Sequence, residues 1–247
     1  METKIRVGAV SYLNTKPLVY GFEQGLMRNS LDILFDYPAK LSQMLQNKAI
    51  DIGLIPVAEI PTIPDAHIIS NYCIGASGPV ASVCVFSNVP IQEVTAILVD
   101  YQSKSSAALL KVLLKKYWKI SPALVETAEG YIGEIGNTVA GLVIGDRAFP
   151  LRNKYRYVYD LAEAWQHMTG LPFLFAAWVA NRPLSESFEK EFNAATGLGL
   201  QHLSEIVAAN KVTDYDLNTY YSINIDYALT DAKRKAMQLF LTEIAAL

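Results

Sequence analysis

Ile5-Arg6-Val7-Gly8-Ala9-Val10, running directly into Ser11-Tyr12-Leu13-Asn14-Thr15-Lys16-Pro17-Leu18, decides the fold. Its first six residues read as a buried strand. Just beyond them Asn14 or Thr15 offers a helix cap, and Pro17 falls in the first helical turn, where a missing N–H costs nothing. Strand, short polar turn and helix make the first half of a parallel β-α-β unit.

The same alternation continues outward. Residues 31–35 form a second strand, and Pro38 opens a helix whose Leu41, Met44 and Leu45 share one face at i, i+3 and i+4. Residues 50–55, closed by Pro56, are a third strand, while 67–75 and 80–87 are extended segments long enough to cross between lobes. A second unit starts with strand 96–99 and helix 105–118. Leu110, Leu113, Leu114 and Tyr117 form its inward stripe, and Lys111, Lys115, Lys116 and Lys119 its solvated face.

Residues 139–144 and 155–161 add strands. Past 173–180 the chain becomes mainly helical, with Phe188 and Phe192 at i, i+4 and a last helix using Met237, Phe240, Leu241 and Ile244. No third α/β unit appears, so the tail is expected to return to the first lobe. The expected architecture is α/β with two lobes and a ligand cleft between them, lobe one being 1–85 with 178–247 and lobe two 86–177.

Composition narrows the function. The 247 residues are 51% apolar and 18% charged, with a formal charge of -3 and no basic stripe, which disfavours nucleic acid as a partner. The apolar run 170–180 is shorter than the about 20 residues of a membrane span. The opening residues, with Glu2, Lys4 and Arg6 and a run broken by Gly8, Ser11 and Asn14, lack the apolar core of an export signal, so a cytoplasmic location is expected. Cys73 and Cys84 read as buried thiols.

A site in an open parallel sheet lies at the carboxyl ends of strands. Four polar motifs fall there: Ser11 to Asn14, Ile55-Pro56-Val57, Asp100 to Ser106 and Gly145-Asp146-Arg147. Ser103-Lys104-Ser105-Ser106 at a helix start combines hydroxyls, free backbone N–H groups and the positive end of the helix dipole, which suits a carboxylate. It reads equally as an ordinary serine cap. Asn14 reads locally as a cap, and its place at a strand end also lets its amide donate to a departing hydroxyl. Ser82 reads as a satisfied strand serine, and Asp146 and Glu59 as structural hydrogen-bonding acids without a partner carboxylate. His67, His167 and His202 form no metal-binding spacing, and the runs 130–136 and 141–145 match no nucleotide loop, so neither metal nor cofactor is expected.

The opening run from Val7 to Leu18 resembles the chorismate dehydratase family of the futalosine route to menaquinone. Further stretches share the resemblance in order: Asp51 to Val57, Ser77 to Val83, Gly145-Asp146-Arg147-Ala148, and Trp165 through Thr169-Gly170-Leu171-Pro172-Phe173-Leu174-Phe175-Ala176. The resemblance implies a periplasmic-binding-protein type II fold and conversion of chorismate, a small dianion, to 3-[(1-carboxyvinyl)oxy]benzoate and water without a cofactor. It makes Asn14 the catalytic residue and gives Ser82 a place in the active site. Ser11, Ser105, Ser106 and Gly145 complete the expected substrate-binding set. The sister dihydroxynaphthoate synthase family is similar in fold but carries a catalytic histidine where this chain has Gly145. A binding protein for a small anion would share the fold and the serine-rich site.

Overall fold

A computed structural model describes residues 4–210, 212 and 214–247. Residues 1–3, including Glu2 and the start of the expected first lobe, lie outside the described residues. Along the chain run β1 (Ile5–Val10), α1 (Lys16–Glu23), β2 (Leu31–Asp36), α2 (Pro38–Gln46), β3 (Ile52–Pro56) and β4 (His67–Ala76). Then come β5 (Val83–Ser87), β6 (Ala96–Val99), α3 (Lys104–Leu113), β7 (Ala123–Glu126), β8 (Val139–Ile144), β9 (Tyr157–Asp160), α4 (Leu161–Thr169) and β10 (Phe173–Ala180). The tail holds α5 (Glu186–Leu198), α6 (Leu203–Ala209), α7 (Leu217–Thr219), β11 (Asp226–Ala228) and α8 (Asp231–Ala245).

These strands build two sheets, ordered β11-β4-β10-β3-β1-β2 and β7-β6-β8-β5-β9. In the first, β1 is parallel to β2 and β3, whereas β10 runs antiparallel between β3 and β4. In the second, β6 is parallel to β7 and β8, and β5 is antiparallel to β8 and β9. Each sheet thus has a parallel part, whose strand ends can carry a site, and antiparallel strands next to the crossings between lobes.

The expected lobe boundaries cut through two strands. β5 pairs only within the second sheet and β10 only within the first, so the chain changes sheet between Ala76 and Val83 and again between Thr169 and Phe173. β5 also starts later than the expected 80–87. The Val80 and Ala81 N–H groups donate to the buried Asp160 carboxylate at 3.1 and 2.7 Å, so they are unavailable to a strand ladder. The same carboxylate caps α4 through Ala162 and Glu163.

Two further expectations need correction. The helix expected over 105–118 is α-helical only to Leu113 and ends in a π turn, Leu114–Trp118. The wider turn rotates its residues relative to the α-helical stripe, so Leu110, Leu113 and Leu114 are buried as expected while Tyr117 is exposed. At the first strand end, neither Asn14 nor Thr15 caps a helix by its side chain. Leu13–Thr15 is a 3-10 turn leading into α1, and Pro17 sits in the first turn as expected.

The tail packs on the first sheet's helices. A Cβ on Gly21 of α1 would lie 2.1 Å from the Ala195 carbonyl oxygen of α5, so these helices approach at backbone distance. Phe192 from α5 fills the space beside them, 5.1 Å from the Phe22 ring and 5.2 Å from that of Trp178. Trp165, Phe173 and Phe240 join α4, β10 and α8 in a buried cluster.

Candidate active site

The carboxyl ends of β1, β3, β6 and β8 converge on one cavity between the two sheets. Its polar lining consists of Tyr12 and Asn14 from the first lobe and Ser82, Ser103 and Ser106 from the second, with Gly145 as backbone wall. Val10, Pro56, Ile74, Ile144 and Phe175 give it apolar sides. None of the described residues lining it is charged, so an anion held here must rely on hydroxyls, amides and the α3 dipole.

Asn14 lies half-buried in the turn after β1. Its Oδ1 accepts from the Thr15 hydroxyl at 3.2 Å, and its main-chain carbonyl accepts from the Tyr227 hydroxyl at 3.0 Å. Ser82 is buried, accepts from the Tyr220 hydroxyl at 2.8 Å, and its carbonyl accepts from the Gly145 N–H at 2.8 Å. Burial pushes the Tyr220 hydroxyl well above the ordinary tyrosine value, with the hydrogen bond to Ser82 working the other way. Tyr220 and Tyr227 carried no signal at the sequence level, because only the return of the tail places them beneath the site.

The serine run divides. Ser103 caps α3 by accepting from the Ser106 N–H at 3.2 Å, and the two hydroxyls, 3.0 Å apart, both face the cavity. Ser105 is buried outside the cavity wall, where its hydroxyl accepts from the Ala58 N–H at 3.0 Å. Adjacent helix residues project about 100° apart, so Ser105 and Ser106 cannot serve one ligand together. Ser11 is exposed, with its N–H donating to the Asp36 carbonyl, and does not line the cavity either.

Gly145 meets a strict requirement. Its φ is 67°, and a Cβ there would stand 3.1 Å from the Tyr12 ring. A side chain would be strained and would push the lobes apart.

The lobes are closed over the cavity. Tyr12 Oη donates to Gln102 Oε1, Ala39 N donates to the Gln102 carbonyl at 3.2 Å, and Leu13 N reaches both Asp146 oxygens at 3.1 Å. Ala58 to Ser105 is a fourth tie. The cavity left between these ties is small, about 40 Å³.

Strand ends of the second lobe are locked from behind. The buried Asp100 carboxylate accepts from Arg147 at 2.7 Å, Tyr131 at 2.8 Å and the Ile144 N–H at 3.0 Å. This joins the β6 end, which leads to Ser103, to the β8 end, which leads to Gly145. Among the described residues no group of three or more His, Cys, Asp or Glu could hold a metal, and no helix is long and apolar enough to cross a membrane.

Asp146 gives a measurable consequence of closure. Burial pushes its carboxyl up to about 6, against the Leu13 N–H and the Arg147 and Lys16 charges. A folded-state value above the unfolded one means stability that is full below about pH 4 and is lost as pH rises through about 6. Asp146→Asn keeps an acceptor for Leu13 but cannot titrate. Its stability relative to the parent should rise between about pH 4 and 6.5 by on the order of 2 kcal/mol. Parallel unfolding curves across that range would count against this.

Fold and site together define a two-lobed α/β protein of the periplasmic-binding-protein type with a small, mostly apolar cavity between its lobes that carries a few neutral polar side chains. A protein of Archaeoglobus fulgidus, AF1704, is similar over 98% of this chain and 97% of its own, with a TM-score of 0.75 at 17% identity. The Candida albicans CA3427 product, described as having the generic periplasmic binding protein fold, covers 99% of this chain and 91% of its own at a TM-score of 0.62 and 12% identity. By sequence, residues 5–246 match the family model described as menaquinone biosynthesis, and the chain belongs to that family. A chorismate dehydratase of Thermus thermophilus is 25% identical over 95% of this chain and 93% of its own length.

Proposed function

We propose that the chain is a hydro-lyase that converts chorismate to 3-[(1-carboxyvinyl)oxy]benzoate and water, as a cytoplasmic step of the futalosine route to menaquinone. The observation that carries this reading is the convergence of Asn14, Ser82 and the α3 N-terminus on one closed, uncharged cavity. The likeness to the Thermus enzyme supports the same reaction.

Chorismate carries a ring hydroxyl beside the carbon bearing its enolpyruvyl ether. Loss of the proton on that carbon and of the neighbouring hydroxyl forms the third ring double bond, and aromatisation drives the step. The protein must orient the dianion, exclude water and stabilise departing hydroxide. Ser103, Ser106 and the first turn of α3 face one carboxylate. The Asn14 amide donates to the departing oxygen, and the substrate's own enolpyruvyl carboxylate takes the ring proton, since none of the described residues lining the cavity is charged. The carboxylate then passes that proton to the departing hydroxide, which leaves as water.

The sister synthase reading fits less well, because a histidine at Gly145 would meet both the positive φ and the Tyr12 ring. Incubating purified protein with chorismate and identifying the product by mass tests the proposal; unchanged chorismate would refute it. Within it, Ser106→Ala should raise KM several-fold with kcat nearly unchanged, since a carboxylate contact acts in ground and transition states alike. A fall in kcat at constant KM would move the chemistry to α3.

A further inference from the structure

We infer that Tyr220 is a positioning residue that makes Ser82 a one-way hydrogen-bond donor into the cavity. This rests on the proposed dehydration and assigns Ser82 to an acceptor oxygen of the substrate.

Tyr220 does not line the cavity; it stands behind Ser82 at the start of the π turn Tyr220–Asn224. It is fully buried, and its ring is fixed by Phe149, edge-on at 4.9 Å, and by Tyr221 at 5.6 Å. Its hydroxyl therefore has little choice of partner and donates to Ser82 Oγ at 2.8 Å. A serine hydroxyl has one proton to give. Among the described residues Ser82 makes no other side-chain hydrogen bond, so with a lone pair occupied from behind, its proton is directed at whatever fills the cavity.

The direction of donation then runs from Tyr220 to Ser82 to substrate. Such chains strengthen each member in turn. The tail of the chain, remote in sequence from both strand-end motifs, thereby sets the polarity of the site.

The test is a double-mutant cycle of Tyr220→Phe and Ser82→Ala, read by chorismate turnover, by chorismate binding in calorimetry, and by thermal unfolding. Tyr220→Phe keeps the ring packing and should lower kcat/KM about tenfold, the worth of one buried hydrogen bond. In the Ser82→Ala background the same change should alter kcat/KM by less than about twofold, because the partner through which Tyr220 acts is gone. Equal losses in both backgrounds, or no loss in the single variant, would overturn the proposal and leave Tyr220 as packing. Binding without turnover by the parent protein would refute the dehydration, and the same cycle in Kd would still decide on Tyr220. Neither binding nor turnover would overturn both.

Discussion

Asn14→Ala is expected to cut chorismate turnover by about 10² to 10³ while changing global stability by no more than about 1 kcal/mol. The reason lies in the turn after β1. If Asn14 were a helix cap, its removal would act on the fold, but α1 starts at Lys16 with no side-chain cap and Leu13–Thr15 is a 3-10 turn. The Asn14 backbone is held independently of its side chain by the Tyr227 hydroxyl. What the alanine variant loses, on the proposed reading, is the amide donor that faces the departing oxygen from the cavity wall.

Asn14→Asp separates the roles. Aspartate keeps the size of the side chain and its acceptor for the Thr15 hydroxyl, yet when ionised it cannot donate to a leaving oxygen. It also adds charge to a cavity whose described lining has none. Turnover should therefore fall at least as far as in Asn14→Ala, with unfolding little changed. Unaltered turnover in Asn14→Asp would remove Asn14 from the chemistry.

How far the site was legible depends on the difference between local and long-range determinants. Val7 to Val10 and the polar run after them announce a strand end, and Asn14, Ser82, Ser106 and Gly145 reach the cavity from motifs visible in the sequence. Ser105 and Ser11 share those motifs but point elsewhere, because a helix and a turn spread neighbours in directions that a linear motif does not encode. β7 and β11 were missed for physical reasons: β7 is an exposed edge strand, and β11 has only three residues. The lobe boundaries slipped because the apolar strands β5 and β10 look alike whichever sheet they join. Tyr220 and Tyr227 were invisible because their role depends on the return of the tail, which the pattern of apolar residues sets only coarsely.

That return has its own anchor, and Lys233→Met should destabilise the fold by about 3 to 5 kcal/mol. Lys233 of α8 is fully buried. Its ammonium donates to the Asp226 and Ala228 carbonyls at 2.7 and 2.6 Å and pairs with Asp226 Oδ1 at 2.7 Å. Methionine fills similar volume but leaves two carbonyls without their donor and a carboxylate without its countercharge. Asp226 keeps the Ser77 hydroxyl at 2.6 Å and is one-third exposed, so water recovers part of the loss. Burial acts to raise the Asp226 carboxyl, but the Lys233 and Ser77 hydrogen bonds and the Lys233 charge prevail and hold it below its ordinary value. A depressed folded-state value contributes stability above the unfolded one and loses it as pH falls through the folded one. The gap between parent and Lys233→Met in urea unfolding should therefore narrow on acidification below about pH 4. Because β11 carries Tyr227 to the Asn14 carbonyl, the folded fraction of the variant should also turn over more slowly. A cost under about 1 kcal/mol, or a gap independent of pH, would show that the short strand is held by its apolar neighbours and not by this ion pair.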